Sequence, residues 1–597
     1  MPNLVSKISS RTSVLCEMTP AQRKPVSAGH PQAVLLFTAL SSAVLFWASF
    51  PPLDLHVLAW IAPLGWLLLV RITSTPRYFY RVLYLAGLAF WLPAIQWLRL
   101  GHETMYSAWL ALSVYLAIYP PLFVLLCRLC IHQGKLPFLI VAPIVWVSLE
   151  YARAHIMGGF PWYFLAHTQY PFESLIQIAD LTGSYGISFS ILLVTTLLTD
   201  LVPDHWLSGH GLVLSPGLIT RHSRRRLIVT VVLIAASQLA VLGYGIIRVR
   251  QGPFSPGPKV ALLQGNIPQT VKMAPESPWD IFQTYQRLSL SAAEEKPDLI
   301  IWPESMFRFP LIQVHPDLND QTLLSHFPEN TDPQTLRSLI KDIPALLTRL
   351  AQQCGTDLLI GLETIEIKDG KKETYNSAVR VTPEKGLVSR YDKRHLVPFG
   401  EYLPFARYLP WLLELTPFHA GYGFDAGKTL DFLELKGFSF SILICYEDTV
   451  PHLVRTLLND APSLSPAQIQ SIKPLDFLVN ITNDGWFHDS SELQQHLITS
   501  AFRAVESRTP LVRAANTGIT AVINGNGKIL DQTIVRDPST RKITEVEGLT
   551  VAHIPLDTRT SHYVTWGDWF SGTCLLATVF SSIWSFSRQK PTITLKS

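Results

Sequence analysis

Charge is scarce in this chain. Asp, Glu, Lys and Arg make up 16% of its 597 residues while 48% are hydrophobic and 16 are tryptophan, whereas soluble domains carry about a quarter charged residues. The deficit excludes a wholly soluble protein. It is also unevenly placed, because nearly all long charge-poor runs precede residue 247 and one more follows residue 565. No internal repeat is present. The net charge of +4 is accounted for by basic loops flanking apolar runs, so no nucleic-acid partner is expected.

The apolar runs read as membrane spans, since about twenty residues cross a hydrocarbon core of roughly 30 Å. Eight are expected, at 31–50, 53–70, 82–98, 107–126, 136–149, 185–201, 227–246 and 566–586. Loop charge tests the count independently, because Lys and Arg concentrate on cytoplasmic loops. Lys7, Arg11, Arg23 and Lys24 precede the first run, and Arg71, Arg77 and Arg81 follow the second. Arg128 and Lys135 follow the fourth, Arg221 and Arg224 to Arg226 follow the sixth, and Arg588, Lys590 and Lys596 follow the last.

The expected organisation is therefore a cytoplasmic extension (1–30), a seven-span membrane domain (31–246), an outward, periplasmic domain (247–565), an eighth span (566–586) and a cytoplasmic tail (587–597). Localisation is expected to be the inner (plasma) membrane. The first run lies too far from the start, and is followed by too many others, to be a cleaved signal. Apart from Asp54, Glu150 and a few histidines the spans are bare of ionisable groups, which disfavours a transporter.

The outward segment reads as an α/β domain. "KVALLQ", "DLIIW", "DLLIGL", "NSAVRV", "GFSFSILI", "DFLVNI" and "ITAVI" are strand-like, with helices expected at 280–295, 334–353 and 492–507. The polar stretches 314–333 and 459–473 read as surface insertions. Three strands lead into an ionisable residue: "DLIIWPES" delivers Glu304, "GLVSRYDK" delivers Lys393 and "SILICYED" delivers Cys445. Catalytic groups collect beyond the carboxyl ends of strands in open α/β sheets, so a carboxylate, an amine and a thiol could converge. Taken singly each has a bland reading: a buried small hydrophobe for Cys445, a turn cap for Glu304, a solvated charge for Lys393. Together they supply base, oxyanion stabiliser and nucleophile for acyl transfer through a thioester.

These phrases, with "LLQGNIPQ", "YDKRHLVPFGEYLPF", "NITNDGWF" and "RAANTGITAVI", resemble the nitrilase, or carbon-nitrogen hydrolase, superfamily. Joined to eight spans and "GGFPWYFLAHTQ", they resemble its membrane-bound apolipoprotein N-acyltransferase family. The resemblance implies an αββα sandwich, with Glu304 as general base, Lys393 as oxyanion stabiliser and Cys445 as the acylated nucleophile. It further implies Glu401 as a second active-site carboxylate, Tyr446 and Glu447 beside the thiol, and Asn376 and Asn516 in support. The partners it implies are a membrane phospholipid as acyl donor and a diacylated apolipoprotein as acceptor, with no metal or diffusible cofactor; a monomer is expected.

Trp162, Trp411 and Trp486 are candidate lipid contacts, because aromatic residues favour the membrane interface and "LPFARYLPWLLELTPF" (403–418) is apolar enough to dip into lipid. Met273, Gly485 and His488 depart from the family pattern and bear on how lipid is gripped. Cys354 is expected to be an inert buried thiol. A membrane-tethered amidase of the same superfamily is the alternative function.

Overall fold

The computed structural model describes residues 31–203 and 224–588, apart from residues 253, 275, 315–317, 319, 329, 330, 369, 404–407, 410, 412–422, 430 and 462–472. The terminal extensions, most of the 403–418 stretch and most of the 459–473 insertion lie outside the described residues.

Twelve strands form two sheets. They are β1 (Ser255–Gln264), β2 (Leu299–Ile301), β3 (Phe307–Val314), β4 (Asp357–Lys368), β5 (Lys371–Thr382), β6 (Gly386–Asp392), β7 (Leu433–Leu435), β8 (Phe438–Ile444), β9 (Phe477–Thr482), β10 (Leu511–Ala515), β11 (Ala521–Ile523) and β12 (Gly548–Leu556). The first sheet runs β12-β1-β2-β4-β5-β6 with β3 also on β4, and the second runs β11-β10-β9-β8-β7. Side chains alternate between the faces of a strand, and here both faces are covered. Val260, Leu262, Leu299, Ile301 and Leu359 of the first sheet meet Phe440, Ile442, Ile444, Val479 and Val512 of the second in one buried core.

The opposite parity faces helices. Ala261, Leu263, Ile300, Leu358 and Ile360 pack on the helices Pro278–Ala293 and Pro333–Cys354. On the second sheet Leu443, Leu478 and Leu511 pack on Pro451–Asp460 and Ser491–Ser507. The result is an α-β-β-α sandwich, and double coverage explains why its strands read as nearly unbroken apolar runs.

Strands β3, β7, β10 and β12 and the helix Pro451–Asp460 were not among the expected elements. β3 contains Pro310 and β10 contains the buried Arg513, and each interrupts the apolar signal. Nor is the polar stretch after β3 wholly a surface insertion: Leu323 joins Ile312, Leu336, Ile365 and Ile367 in a small core of its own.

Four helices among the described residues are long and apolar enough to cross a membrane: Pro31–Ser49, Met105–Gln133, Arg225–Arg250 and Trp569–Ser587. The pair Glu173–Thr182 and Tyr185–Leu201, bent by 117°, makes a fifth if counted as one span. Arg225–Arg250 is covered on almost none of its surface, and Ile228, Val229, Val232, Leu233 and Leu239 point outward from it. Residues 79–94 and 138–153 are shorter helices, Phe79–Ala94 and Phe138–Arg153. The expected span 53–70 is broken, into a 3-10 turn His56–Trp60 and a helix Leu64–Val70. Pro63, at the boundary, has no N–H to carry a helical hydrogen bond across it.

The helix Ser491–Ser507 joins the two parts. Leu497, Ala501 and Ala504 face the second sheet, while Ile498, Phe502 and Val505 enter the core of the apolar helices. Arg508, just beyond its end, donates from Nε to Asp180 Oδ2 at 2.8 Å, and Asp180 also binds Arg248. Its partnered charges identify the junction as a packed interface.

Candidate active site

Glu304, Lys393 and Cys445 follow the carboxyl ends of β2, β6 and β8 respectively, and Asn483 and Asn516 follow those of β9 and β10. The parallel pairs β2–β4, β8–β9 and β9–β10 bring these ends to one side of the sandwich. Asn516 stitches the two sheets there: it donates to Ile267 O at 2.7 Å and Asn483 Oδ1 at 2.9 Å, and accepts from Ile267 N. The Glu304 loop closes over β4 at Gly361, where a Cβ would lie 2.4 Å from Pro303 O.

Lys393 is 1% exposed and Glu304 7%. The Lys393 Nζ donates to Glu401 Oε1 at 2.8 Å and to Glu304 Oε1 at 3.4 Å. Asn376 Nδ2 donates to the same two oxygens, at 3.0 and 2.7 Å, and the Asn483 N–H donates to Glu304 Oε2 at 2.9 Å. Val397 N–H fixes the other oxygen of Glu401. Burial works against the Lys393 charge, but Glu401 and Glu304 outweigh it and hold the ammonium well above its ordinary range.

Cys445 opens a 3-10 turn at the end of β8 with φ +52°. A non-glycine residue there is strained by roughly 1 kcal/mol or more and needs its surroundings to hold it. Glu447 is the main clamp. It accepts from Ile444 N, Tyr391 OH, Arg394 N and His395 N at 2.7 to 3.0 Å, tying the cysteine turn to the loop that carries Lys393. Asn480 Nδ2 donates to Cys445 O at 3.2 Å. Burial and the Glu304 charge push the thiol up to about 12, with Lys393 and His496 pulling the other way. A resting thiolate is therefore disfavoured.

A second buried cluster underlies the turn. Asp448 accepts from His496 Nε2 at 2.8 Å, Arg513 Nη1 at 3.3 Å and Ser500 Oγ; Asp484 accepts from Arg513 Nη2 at 2.8 Å and Thr482 Oγ1 at 2.7 Å. Asp484, Glu492 and His496 bring ligand atoms within 4.8 Å of one another, the one such triplet found among the described residues. Arg513 already supplies a cation to that group. These residues were not among the expected site residues, although Arg513 in the apolar run "LVRAA" was a visible signal of a buried charge.

Of the remaining candidates, Tyr446, Trp162 and Trp486 meet the part built of apolar helices. Tyr446 OH donates to Gly159 O at 3.1 Å, crossing from the sandwich to the "GGFPWYF" loop. Trp162 is 3% exposed, its ring 5.1 Å from Trp97 and 5.6 Å from His496. It is thus buried rather than presented as an interfacial anchor, with Trp97 and His496 packed against it at tilted angles. Trp411 and Trp486 are exposed, and Trp486 lies against Gly101 of the membrane part. Met273 is also exposed.

A four-layer sandwich with thiol, amine and carboxylates at its strand ends defines a carbon-nitrogen hydrolase, and residues 259–561 match the model of that family. Residues 42–197 match the model of the apolipoprotein N-acyltransferase N-terminal domain. The chain is 34% identical to the apolipoprotein N-acyltransferase of Geobacter metallireducens, covering 92% of this chain and 95% of that one. It is 28% identical to that of Rhodopirellula baltica over 91% and 95%. The chain belongs to the apolipoprotein N-acyltransferase family. Among solved structures, a mutant of the amidase from Nesterenkonia sp. AN1, with the acetamide moiety of fluoroacetamide added covalently at its active-site cysteine, is 15% identical at a TM-score of 0.34, covering 54% of this chain and 98% of that one.

Proposed function

We propose that this chain moves an acyl group from a membrane phospholipid, through a thioester on Cys445, to the α-amino group of the diacylglyceryl-cysteine that begins an apolipoprotein, completing lipoprotein maturation. The observation that carries the reading is the junction. The turn bearing the thiol touches the part built of apolar helices directly through Tyr446 and Gly159, which supports a lipid ester as the acyl donor. A hydrolase of small soluble amides needs no such placement.

In the first half-reaction Cys445 Sγ attacks the ester carbonyl while Glu304 takes the thiol proton. The developing oxyanion meets the Lys393 ammonium, an interaction whose loss costs about 10²- to 10³-fold in comparable sites. Collapse expels the lysophospholipid oxygen, which takes the proton from Glu304 and leaves the thioester. In the second half-reaction the neutral acceptor amine attacks, Glu304 takes its proton, and the thiol is returned. Glu401 and Asn376 hold Lys393 and Glu304 in register. The kinetics are ping-pong, because the lysolipid leaves before the amine enters.

The accompanying topology has eight spans, both termini cytoplasmic, the sandwich periplasmic and the chain a monomer in the inner membrane. The domain limits are those expected from loop charge, with Trp411 and Trp486 meeting lipid. Cysteine labelling at positions 251 and 590 should report opposite sides of the membrane. The function is tested by incubating the protein with labelled phospholipid and a diacylated lipopeptide and weighing both. A triacylated peptide and a lysophospholipid are expected; free fatty acid with no acylated peptide would instead make the protein a hydrolase.

A further inference from the structure

The helix Ser491–Ser507 places His496 under the cysteine turn, 1% exposed. Its ring nitrogens meet acceptors on both sides. Nε2 lies 2.8 Å from Asp448 Oδ1 and 3.3 Å from the Cys445 carbonyl oxygen. Nδ1 lies 3.2 Å from Asp484 Oδ1 and 3.4 Å from Glu492 Oε1. A neutral imidazole has one donor and one acceptor nitrogen, so either tautomer would turn a lone pair toward a carboxylate. The Trp162 ring packs beside it, with centroids 5.6 Å apart and the planes tilted by 45°.

We propose that His496 is a permanent imidazolium and a positioning residue for Cys445, fixing the strained cysteine turn through its carbonyl and supplying, beside Lys393, a second positive charge toward the thiol. The inference rests on Cys445 being the nucleophile. His496 itself touches no substrate.

The groups facing the ring from each packed element are Asp448 from the turn after β8, Asp484 from the turn after β9, Glu492 one helical turn away, Arg513 from β10, Trp162 from the membrane part and Cys445. Arg513 opposes a charge on His496, and Asp448 and Asp484 favour it; burial disfavours it, yet the balance lies well above the ordinary histidine range. Glu492, lifted by burial to about 7, is the acceptor that takes up a proton first. Asp484 is held low by Arg513 and His496 against burial, so Nδ1 must still donate when Glu492 is neutral. The arrangement also offsets the acids beside the thiol, since His496 lowers the Cys445 thiol while Glu304 and Asp484 raise it.

The test is His496→Gln, which keeps a donor for the Cys445 carbonyl and removes the charge. A short pulse of iodoacetamide across a pH series, read from the mass of the Cys445 peptide, should show the alkylation profile displaced to higher pH. Acyl-enzyme formation from phospholipid should slow by about ten- to a hundredfold with KM for the phospholipid unchanged. An alkylation profile identical to that of the unaltered protein would overturn the proposal. Should His496→Gln not fold, ¹⁵N-histidine spectra of the unaltered protein decide: one imidazolium signal should persist at pH 9 and shift in Trp162→Phe. Absence of any imidazolium at pH 9 would overturn it equally. The alkylation profile and the imidazolium signal do not depend on acyl transfer, so a failed nucleophile assignment, seen as acylation of Cys445→Ala, is distinguishable.

Discussion

Two charged clusters flank Cys445, and they differ in how open they are. On the side of the seven-stranded sheet, the Glu304 and Glu401 side chains keep 9% and 12% of their surface accessible around the buried Lys393. On the side of the five-stranded sheet, Asp448, Asp484, Glu492, His496 and Arg513 keep 2% or less. The first cluster keeps its two carboxylates partly accessible around a sealed ammonium, the arrangement the proposed acyl transfer requires. The second has its charges matched among themselves and acts on the site only through the backbone of the turn and the field of its ions. The difference teaches that the same residue types do chemistry or hold geometry according to whether an approaching group can reach them.

The sharpest break of the comparison is Cys445→Ala, which removes the atom both clusters serve. It should form no acyl-enzyme from labelled phospholipid while unfolding at nearly the temperature of the unaltered protein. Acylated Cys445→Ala protein would mean that the thiol is not the nucleophile.

Glu304→Gln and Lys393→Met attack only the open cluster. Each should reduce turnover by at least about 10²- to 10³-fold. In Glu304→Gln the loss should be accompanied by altered pH dependence of Cys445 alkylation, because the charge that raises the thiol is gone.

Arg513→Leu attacks the sealed cluster, and its effect should appear in stability. Removing one partner of a buried ionic group strands the others, at a cost of about 3 to 5 kcal/mol, to be read from the denaturation midpoint. A pH series sharpens the result. The Asp484 carboxyl is depressed in the folded protein by Arg513 and His496, against burial. The stability it contributes is therefore present above its unfolded value near 3.8 and lost as pH falls below it. The acid-unfolding midpoint of Arg513→Leu should lie at higher pH than that of the unaltered protein.

The smallest effect is expected at Cys354, a thiol outside both clusters at the end of the helix Pro333–Cys354, which burial pushes up to about 11. Cys354→Ala should leave turnover unchanged and cost about 1 kcal/mol, and native protein should not alkylate there.

Much of this organisation was legible in one dimension. Long apolar runs marked the helices that are apolar enough to cross a membrane, and double coverage of the sheets left strands such as "SILI" and "FLVNI" almost purely apolar. Glu304, Lys393 and Cys445 could be read because each interrupts such a run at its end, where α/β sheets present their reactive groups. Within residues 53–70 the interruption at Pro63 was not legible, since composition does not register where a proline divides a helical segment. Strand β3 was hidden by Pro310 and β10 by Arg513.

By itself, then, the sequence determined that apolar helices accompany an α/β domain, and that Glu304, Lys393 and Cys445 stand just beyond strand ends, because hydrophobic burial and backbone period act locally and leave their mark residue by residue. Only the tertiary structure decided that Glu447 locks the cysteine turn to the lysine loop, that Trp162 packs beside His496, and that Arg513, from a strand remote in sequence, neutralises Asp448 and Asp484. Charge pairing across a core depends on which distant atoms come within a few ångströms, and that distance is a property of the fold.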